Sequence, residues 1–307
     1  MNITLISLYS TPMPIGLRCV SSCLKMAGHN VRLVSIPREI KNTHKGSVFN
    51  TFPEKIGEEY DKKTINELLE LSKESDLIGI SLSTNFFEDA AQVTKALKEQ
   101  LKIPIVWGGI HPTVSPEECL EYADIVCRGE GEEAMTELAK KIEKKEDYRG
   151  VKNLCFKDQK GNVVINPVRP LIQNLDSIPF QDFDFKNQYI ITEGKSHKFD
   201  KEAIFNKRSA SVYQIMFTRG CPFGCTYCCN NFLNNLYSGQ KIFRKRSIDN
   251  IIKELKTVKN NLSFVRFISF VDDNFLGLSL DEIKKFSEKY KKEIKTPWFI
   301  RSSSGYG

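Results

Sequence analysis

The stretch Cys221-Pro-Phe-Gly-Cys225-Thr-Tyr-Cys228 places three cysteines in one short segment, spaced Cys-x3-Cys-x2-Cys. Pro222 and Gly224 favour a tight loop, and such a loop can bring three thiolates to one small iron–sulfur cluster. Three ligands leave one iron of a four-iron cluster open, where a substrate or cofactor can bind. Residues 211–217 before the loop read as a strand, so the cysteines are predicted to follow a strand end.

Two other cysteine arrangements explain this pattern less well. A structural zinc site usually takes four ligands from two separated pairs, and the chain has no second Cys-x2-Cys pair. A disulfide framework is typical of exported proteins, but no export signal precedes the first predicted strand. Cys229 follows directly as an alternative ligand, although adjacent cysteines do not readily face one cluster together.

The cysteine spacing, with the aromatic Tyr227 before the third cysteine, resembles the radical S-adenosylmethionine (radical SAM) superfamily. The resemblance implies that Cys221, Cys225 and Cys228 hold a 4Fe-4S cluster whose open iron chelates the amino and carboxylate groups of S-adenosyl-L-methionine (SAM). It implies reductive cleavage of SAM to a 5′-deoxyadenosyl radical. It also makes Tyr227 a candidate SAM contact.

Two further strand ends carry candidate SAM contacts. The predicted strand 264–271 ends in Asp272 and Asp273, which match the acidic strand end of the superfamily. The alternative is that these acids cap the helix that begins near Ser279. A third strand is predicted from residue 297, and its terminal Arg301 is a candidate partner for a carboxylate. Together with the helix over 247–259, which Ser247 caps, this alternation predicts part of a radical SAM (β/α) barrel.

The first 145 residues alternate between apolar runs and helical periodicity. This alternation predicts an open parallel sheet covered by helices on both faces. Ligands of such sheets bind beyond the carboxyl ends of the strands, where polar or glycine-rich turns follow three of the runs. The turn residues that we single out are Ser81, Ser83, Thr84, Gly108, Gly109, His111, Gly129, Glu130 and Gly131.

As a set, these turns resemble the N-terminal domain of cobalamin-dependent radical SAM enzymes. The resemblance implies a flavodoxin-like, doubly wound parallel sheet over residues 1–145 that binds cobalamin through the turn residues. The Asp-x-His-x-x-Gly motif that ligates cobalt in other cobalamin proteins is absent, so the lower face of the cobalt should lack a protein imidazole. For His111, hydrogen bonding within its turn is the alternative to a ligand role.

The domain boundaries follow from these assignments. Residues 146–204 are predicted to form a hairpin and an extended linker, and residues 205–307 to form the N-terminal half of the barrel. A complete barrel of this type has about six βα units, whereas the sequence supplies about three. We therefore expect the 307 residues to be the front part of a longer protein, or a fragment of its gene.

The composition and charge of the chain bear on whether a membrane or a nucleic acid is its partner. The chain has 40% hydrophobic and 27% charged residues, as in ordinary globular proteins, and no apolar run near the ~20 residues of a membrane span. The net charge is +7, but the basic residues are interspersed with acidic ones except at residues 244–246. This distribution does not favour a nucleic-acid partner. An oxygen-sensitive cluster and the absence of a leader predict a cytoplasmic protein.

The resemblance implies an enzyme that transfers a methyl group to an unactivated carbon or phosphorus of a small molecule, with a flavodoxin- or ferredoxin-type electron donor. Non-methylating chemistry, such as oxidative ring formation on a tetrapyrrole, is the alternative within the same family. A non-catalytic cobalamin- or SAM-binding module is the alternative from another class. A tRNA methylthiotransferase would need further cluster cysteines, which Cys19, Cys23, Cys119, Cys127 and Cys155 do not supply by their spacing.

Overall fold

The computed structural model describes residues 1–9, 14–37, 59–199 and 212–300. The chain divides into a first unit of Met1–Arg169 with Gln181–Asp200 and a second unit of Pro170–Phe180 with Lys201–Gly307. Arg301, the candidate carboxylate partner, lies outside the described residues. So do residues 38–58 and residue 211, the first residue of the predicted strand 211–217.

Six helices and nine strands make up the described part of the first unit. In chain order they are β1 (Asn2–Ser7), α1 (Ile15–Met26), β2 (Asn30–Ser35), α2 (Lys62–Ser72), β3 (Leu77–Ser81), α3 (Phe87–Gln100), β4 (Ile105–Gly108), α4 (Ile110–Val114), α5 (Pro116–Cys119), β5 (Ile125–Cys127), α6 (Glu132–Glu143), β6 (Leu154–Lys157), β7 (Val163–Ile165), β8 (Gln188–Thr192) and β9 (Lys195–Lys198).

The first five strands are parallel and lie in the order β2-β1-β3-β4-β5. This is the order of a flavodoxin-like, doubly wound sheet, so the predicted fold class is confirmed. The chain moves to one side of β1 and then to the other, which puts the switch point between β1 and β3. The carboxyl ends of β3, β4 and β5 are direct neighbours in this order, so the three predicted turns follow adjacent strands.

Alternating side chains of these strands pack into two cores, one on each face of the sheet. One core contains Ile80 and Trp107 with Leu97 of α3. The other contains Leu5 with Leu138 of α6. Burial of each such side chain contributes about 1.5–3 kcal/mol, so the apolar runs that predict the strands also hold both helix layers.

The sheet is larger and more mixed than the open parallel sheet that we expected. Hairpin β6–β7 extends it beyond β5 in antiparallel fashion, and β8 adds to β2 in parallel and pairs with β9 in antiparallel fashion. Strands β8 and β9 lie within residues 146–204, for which we predicted a hairpin and an extended linker. The prediction of an extended linker was wrong for residues 188–198. Both strands are short, and β9, which has a lysine at each end, is the edge strand, so neither sequence shows the pattern of a buried strand.

A buried arginine fixes the chain that leads into β8. Arg18 of α1 is fully buried, donates to the Asp182 carbonyl, and lies 3.7 Å from the ring centre of Phe183. Ser21 and Lys25 bind the Asp182 carboxylate at 2.6 and 2.7 Å. These contacts account for the grouping of residues 181–200 with the first unit, while residues 170–180 group with the second.

Three parallel strands in the order β10-β13-β14 form the sheet of the second unit, with a two-stranded antiparallel pair, β11-β12, beside its loops. The elements are β10 (Val212–Ile215), β11 (Thr218–Arg219), α7 (Cys229–Leu236), β12 (Arg244–Lys245), α8 (Ile248–Asn261), β13 (Phe267–Phe270), α9 (Leu280–Glu293) and β14 (Trp298–Ile300). The predicted Ser247 cap of α8 is confirmed, since its side chain accepts from the Asn250 amide at 3.1 Å.

An aromatic cluster joins this sheet to α9. Phe286 lies with its ring centre 5.4 Å from that of Phe217 and 5.5 Å from that of Phe270, and Trp298 of β14 lies 5.4 Å from Phe270. Edge-to-face pairs of this kind add about 0.5–1.5 kcal/mol beyond the area they bury. None of the helices in the described ranges combines the length and apolar character that crossing a membrane requires.

Candidate cofactor sites

The cysteine loop joins β11 to α7, and a glycine fixes its entry. Gly220 has φ of +84°, and a Cβ at this position would lie 2.3 Å from the carbonyl oxygen of Ile242. Both the backbone conformation and the close approach therefore require glycine. Cys221 follows immediately, so the position of the first cysteine depends on this contact.

The three cysteines on the loop are free and accessible. Cys225 is exposed, while Cys221 and Cys228 are half-buried. Cys228 is the N-cap residue of α7 and makes no side-chain capping bond. Across the described residues, no three acidic, cysteine or histidine side chains already converge on a single metal ion. Three soft, accessible donors on one loop suit a larger iron–sulfur group.

The other cysteines have different surroundings. Burial raises the pKa of Cys119 and Cys127 to about 12 and that of Cys155 to about 11, so these thiols stay protonated in the core. Partial burial, followed by the nearby Cys228 and Asp273, also raises the pKa of Cys229. Cys229 is therefore a poorer thiolate than a free cysteine, in agreement with its exclusion from the predicted ligand set.

Helix α7, which the sequence analysis missed, holds the loop through two asparagines one turn apart. Asn234 donates to the carbonyl oxygens of Cys221 at 2.9 Å and Phe223 at 3.3 Å. Asn230 donates to Asp273 at 3.3 Å. Asparagine has low helix propensity, so the asparagine-rich sequence of α7 gave no helical pattern to recognise.

The acidic end of β13 binds the residues before the cluster loop. Asp272 accepts hydrogen bonds through Oδ1 from the Thr218 amide and, at 2.7 Å, from the Thr218 hydroxyl. Asp273 accepts from the Gly220 amide at 2.8 Å. The helix-capping alternative for these acids was wrong, because Ser279 and Glu282 cap α9 through their own reciprocal bonds. The acids are thereby placed at the cluster loop.

The second carboxylate oxygen of Asp272 has no partner among the described residues, although it is buried. Burial is the main cause that raises the pKa of Asp272 to about 6, against the opposing effect of the Thr218 hydrogen bonds. A buried acceptor without a donor costs free energy, which a bound cation would recover. Tyr227, the other described candidate for SAM, is 90% exposed and therefore accessible to a ligand.

The candidate cobalamin residues lie in three turns after β3, β4 and β5. Ser81 and Gly108 form the last registered pair between β3 and β4, and Gly108 also pairs with Cys127 at the end of β5. Gly129, Glu130 and Gly131 follow β5 directly and lead into α6, of which Gly131 is the N-cap residue. Adjacent strands thus bring the three turns to one edge of the sheet, as the alternation predicts.

The turn after β3 contacts the end of β1 across the switch point. Burial raises the pKa of Tyr9, and its hydrogen bonds with Ser83 oppose this effect. The Tyr9 ring also packs against Phe86, with ring centres 4.6 Å apart. Ser83 binds Asn85 at 2.6 Å. These contacts join the turn after β3 to the end of β1, beside the switch point at which doubly wound sheets receive their ligands.

His111 lies in the short helix α4, where only a turn was expected. Its Nδ1 lies 3.2 Å from the Thr84 hydroxyl, its ring packs edge-on against Phe87, and its Nε2 lies 3.5 Å from a Glu118 oxygen. The side chain is buried. These contacts agree with the alternative of hydrogen bonding near the turn, and a direct role toward cobalamin stays a prediction.

Gly109 gives the clearest test of the second turn. Its φ is +106°, and an added Cβ would lie 2.5 Å from the Leu82 carbonyl oxygen. We expect Gly109→Ala to weaken hydroxocobalamin binding by about tenfold or more, measured by visible-absorption titration, because the turn must move. Gly161→Ala is the matched control, since Gly161 has φ of +83° but no atom within 4 Å of its added Cβ. Equal binding by both variants would contradict the assignment.

Lys245 and Arg246 of the basic cluster 244–246 line a cavity of about 600 Å³ near the start of α8, together with acidic residues. Arg246 pairs with Glu254 at 2.5 Å, and Lys245 pairs with Glu282. Lys289 pairs with Asp249 on the same wall. Paired charges of this kind attract a polyanion weakly, and the expectation about nucleic acid stays a prediction.

Two domain families match the sequence. The B12 binding domain matches residues 1–139, and the radical SAM superfamily matches residues 215–304. Each match covers the unit in which the corresponding turns or cysteine loop were found.

Several curated proteins are similar over most of the chain. An uncharacterized methyltransferase of Pyrococcus horikoshii is 31% identical over 72% of this chain and 47% of its own length. The cytidylyl-2-hydroxyethylphosphonate methyltransferase of Streptomyces wedmorensis is 24% identical over 93% of this chain and 55% of its own. The anaerobic magnesium-protoporphyrin IX monomethyl ester cyclase of Synechocystis is 27% identical over 70% and 37%. The chain thus spans about half or less of these relatives.

Solved structures show the same fold. The radical SAM methyltransferase TsrM of Kitasatospora setae, with tryptophan and a SAM analogue bound, has a TM-score of 0.66 at 17% identity over 95% of this chain and 51% of its own. The cobalamin-dependent radical SAM enzyme OxsB, with aqua-cobalamin and SAM bound, has a TM-score of 0.67 at 19% identity over 95% and 37%. At these identities the likeness concerns the fold alone.

Proposed function

We propose that this chain, a member of the radical SAM proteins that carry an N-terminal B12-binding domain, cleaves SAM reductively and serves methyl transfer to an unactivated carbon or phosphorus. The observation that carries the proposal is the loop of three accessible thiols, fixed by Gly220 and flanked by a buried carboxylate with one unpartnered oxygen. When bound, a 4Fe-4S cluster supplies one electron to SAM, and cobalamin supplies the methyl group to the substrate.

The residues of the second unit have separate roles in this proposal. Cys221, Cys225 and Cys228 hold the cluster as thiolates. The free oxygen of Asp272 accepts hydrogen bonds from the ammonium group of SAM, which neutralises the buried carboxylate. Tyr227 lies beside the third cysteine, and its exposed ring covers SAM from solvent. Exclusion of water matters here because a carbon radical must react only with the substrate.

The first unit binds cobalamin in this proposal, at the edge where β3, β4 and β5 end. Ser81, Ser83 and Thr84 supply hydroxyl groups, and Gly108 and Gly109 allow a ligand to approach the backbone. The turn 129–131 offers its backbone at the start of α6. Residues 8–16 after β1 contain no histidine, so this turn would supply no imidazole to a bound cobalamin.

A second candidate function is oxidative ring formation, because one relative is named as an anaerobic magnesium-protoporphyrin IX monomethyl ester cyclase. Methyl transfer is favoured by the two relatives named as methyltransferases. Either reaction would act on a small molecule, need an electron from a flavodoxin- or ferredoxin-type donor, and take place in the reducing cytoplasm, where the free cysteines persist.

Anaerobic reconstitution with iron, sulfide and hydroxocobalamin tests the proposal. We expect about four irons and one cobalamin per chain, and 5′-deoxyadenosine from SAM after addition of a chemical reductant. S-adenosylhomocysteine formed beside 5′-deoxyadenosine would indicate that the methyl group of SAM has passed to an acceptor, as methyl transfer requires. 5′-Deoxyadenosine with methionine alone would show SAM cleavage, which both candidates share. Binding of neither cofactor would refute the proposal, and cobalamin without iron would reduce it to a binding module.

A further inference from the structure

The turns after β4 and β5 are joined by one buried threonine. The Thr113 hydroxyl donates to the Gly109 carbonyl at 2.7 Å and accepts from the Gly129 amide at 2.9 Å. The Thr113 carbonyl accepts from Nε of Arg128 at 3.2 Å. Thr113 is 2% exposed, so water does not compete for these bonds. A single side chain therefore bridges the backbones of two turns.

A buried asparagine holds the second of these turns from the other side. Asn153 donates through Nδ2 to the carbonyls of Arg128 at 2.5 Å and Glu130 at 3.3 Å. Its Oδ1 accepts from the Arg169 amide at 2.7 Å. The residue has φ of +73° and no exposed surface. Asparagine tolerates this left-handed conformation better than most residues, and a smaller glycine would lose all three side-chain bonds.

The side chains of Thr113 and Asn153 form hydrogen bonds just beyond the last backbone pairs of β4, β5 and β6. The last registered pair between β4 and β5 is Gly108 with Cys127, and the last between β5 and β6 is Cys127 with Leu154. Beyond these pairs, the Arg128 amide still donates to the Asn153 carbonyl. The side chains of Thr113 and Asn153 supply the remaining hydrogen bonds between the segments. All their polar contacts named above go to backbone or to residues of the turns. They therefore set the turn geometry rather than the packing of the core.

We propose that Thr113 and Asn153 are positioning residues that hold the turns 108–113 and 128–131 in the conformation that cobalamin binding requires. This inference rests on the proposed cobalamin binding by the first unit. Both residues are too buried to touch the ligand, so they act through the backbone of the turns. Without these hydrogen bonds the turns would have to become ordered when cobalamin binds, and the entropy cost of that ordering would lower the affinity for cobalamin.

The test compares Thr113→Val with Thr113→Ser and with Thr94→Val in the whole chain. Thr94 is an equally buried threonine, and its hydroxyl accepts from Trp107 Nε1 at 2.9 Å within the core. Both valine variants thus remove one buried hydroxyl, but only Thr113→Val removes it from the turns. Hydroxocobalamin affinity is measured by anaerobic visible titration, and exchange of the Gly129 amide is measured by hydrogen–deuterium exchange without cofactor.

We expect Thr113→Val to weaken hydroxocobalamin binding by about tenfold and to speed Gly129 exchange, with Thr113→Ser close to wild type. Thr94→Val should leave both measurements unchanged even where it lowers thermal stability. Asn153→Asp, which loses both donors, should act like Thr113→Val. Unchanged affinity in Thr113→Val, or an equal loss in Thr94→Val, would overturn the inference while wild-type binding upholds the proposed function. Failure of the wild type to bind would overturn both.

Discussion

Replacement of Cys221, Cys225 and Cys228 together by alanine is expected to abolish iron binding and SAM cleavage, while hydroxocobalamin binding stays at the wild-type level. The three thiols are accessible and free, whereas every turn proposed to bind cobalamin lies in the first unit. Iron and sulfide are counted after anaerobic reconstitution, and 5′-deoxyadenosine is measured by chromatography. Loss of cobalamin binding in the triple variant would show that the two sites do not load independently.

Cys229→Ala is the matched variant for this experiment. Cys229 follows the third ligand directly, but its pKa is raised by partial burial and by its neighbours Cys228 and Asp273. It should retain about four irons and the ability to cleave SAM, since three thiolates suffice for the cluster. If Cys229→Ala lost as much iron as the triple variant, Cys229 would be a cluster ligand. The ligand set predicted from the Cys-x3-Cys-x2-Cys spacing would then be wrong.

The core of the first unit was predictable because each strand is a continuous apolar run and each helix has its own apolar face. Strands β1 to β5 and the helices between them follow the alternation of apolar runs and helical periodicity that the first 145 residues show. Helix α4 was missed because Gly109 and Pro112 read as a turn, although proline is compatible with the first turn of a helix. Strand β8 and the edge strand β9 were missed because their stability comes from pairing with a sheet that local sequence does not reveal.

The cysteine loop was predictable from spacing, but its support was not. Asn234 donates to the loop and Asn230 donates to Asp273 through their side-chain amides, and nothing in the sequence around them points to these partners. Thr113 and Asn153 form bonds with backbone of distant turns, and such partners are fixed only by the tertiary fold. Sequence therefore identifies groups whose chemistry is distinctive, while the residues that orient them emerge from the structure.

Asp272→Asn is expected to weaken SAM binding to the reconstituted protein by about 100-fold, measured by anaerobic isothermal titration. The amide retains an acceptor for Thr218 but no longer supplies a negative charge to the SAM ammonium group. Loss of one partner from a buried charge pair costs about 2–5 kcal/mol, which supports this magnitude. Asp249→Asn, at an exposed acid paired with Lys289, is the control and should bind SAM normally.

The pH dependence distinguishes a ligand role for Asp272 from a structural one. Because burial raises its pKa to about 6, the carboxylate that SAM requires forms as pH rises through 6. Wild-type SAM affinity should therefore increase between pH 5 and about 7, and this increase should vanish in Asp272→Asn. Without SAM the sign is opposite: a raised pKa contributes stability at low pH that is lost as pH rises through about 6. The unliganded Asp272→Asn protein should accordingly be at least as stable as wild type at pH 7 in thermal unfolding. A variant that binds SAM weakly because it is less stable at pH 7 would instead assign Asp272 to the support of the Thr218 backbone.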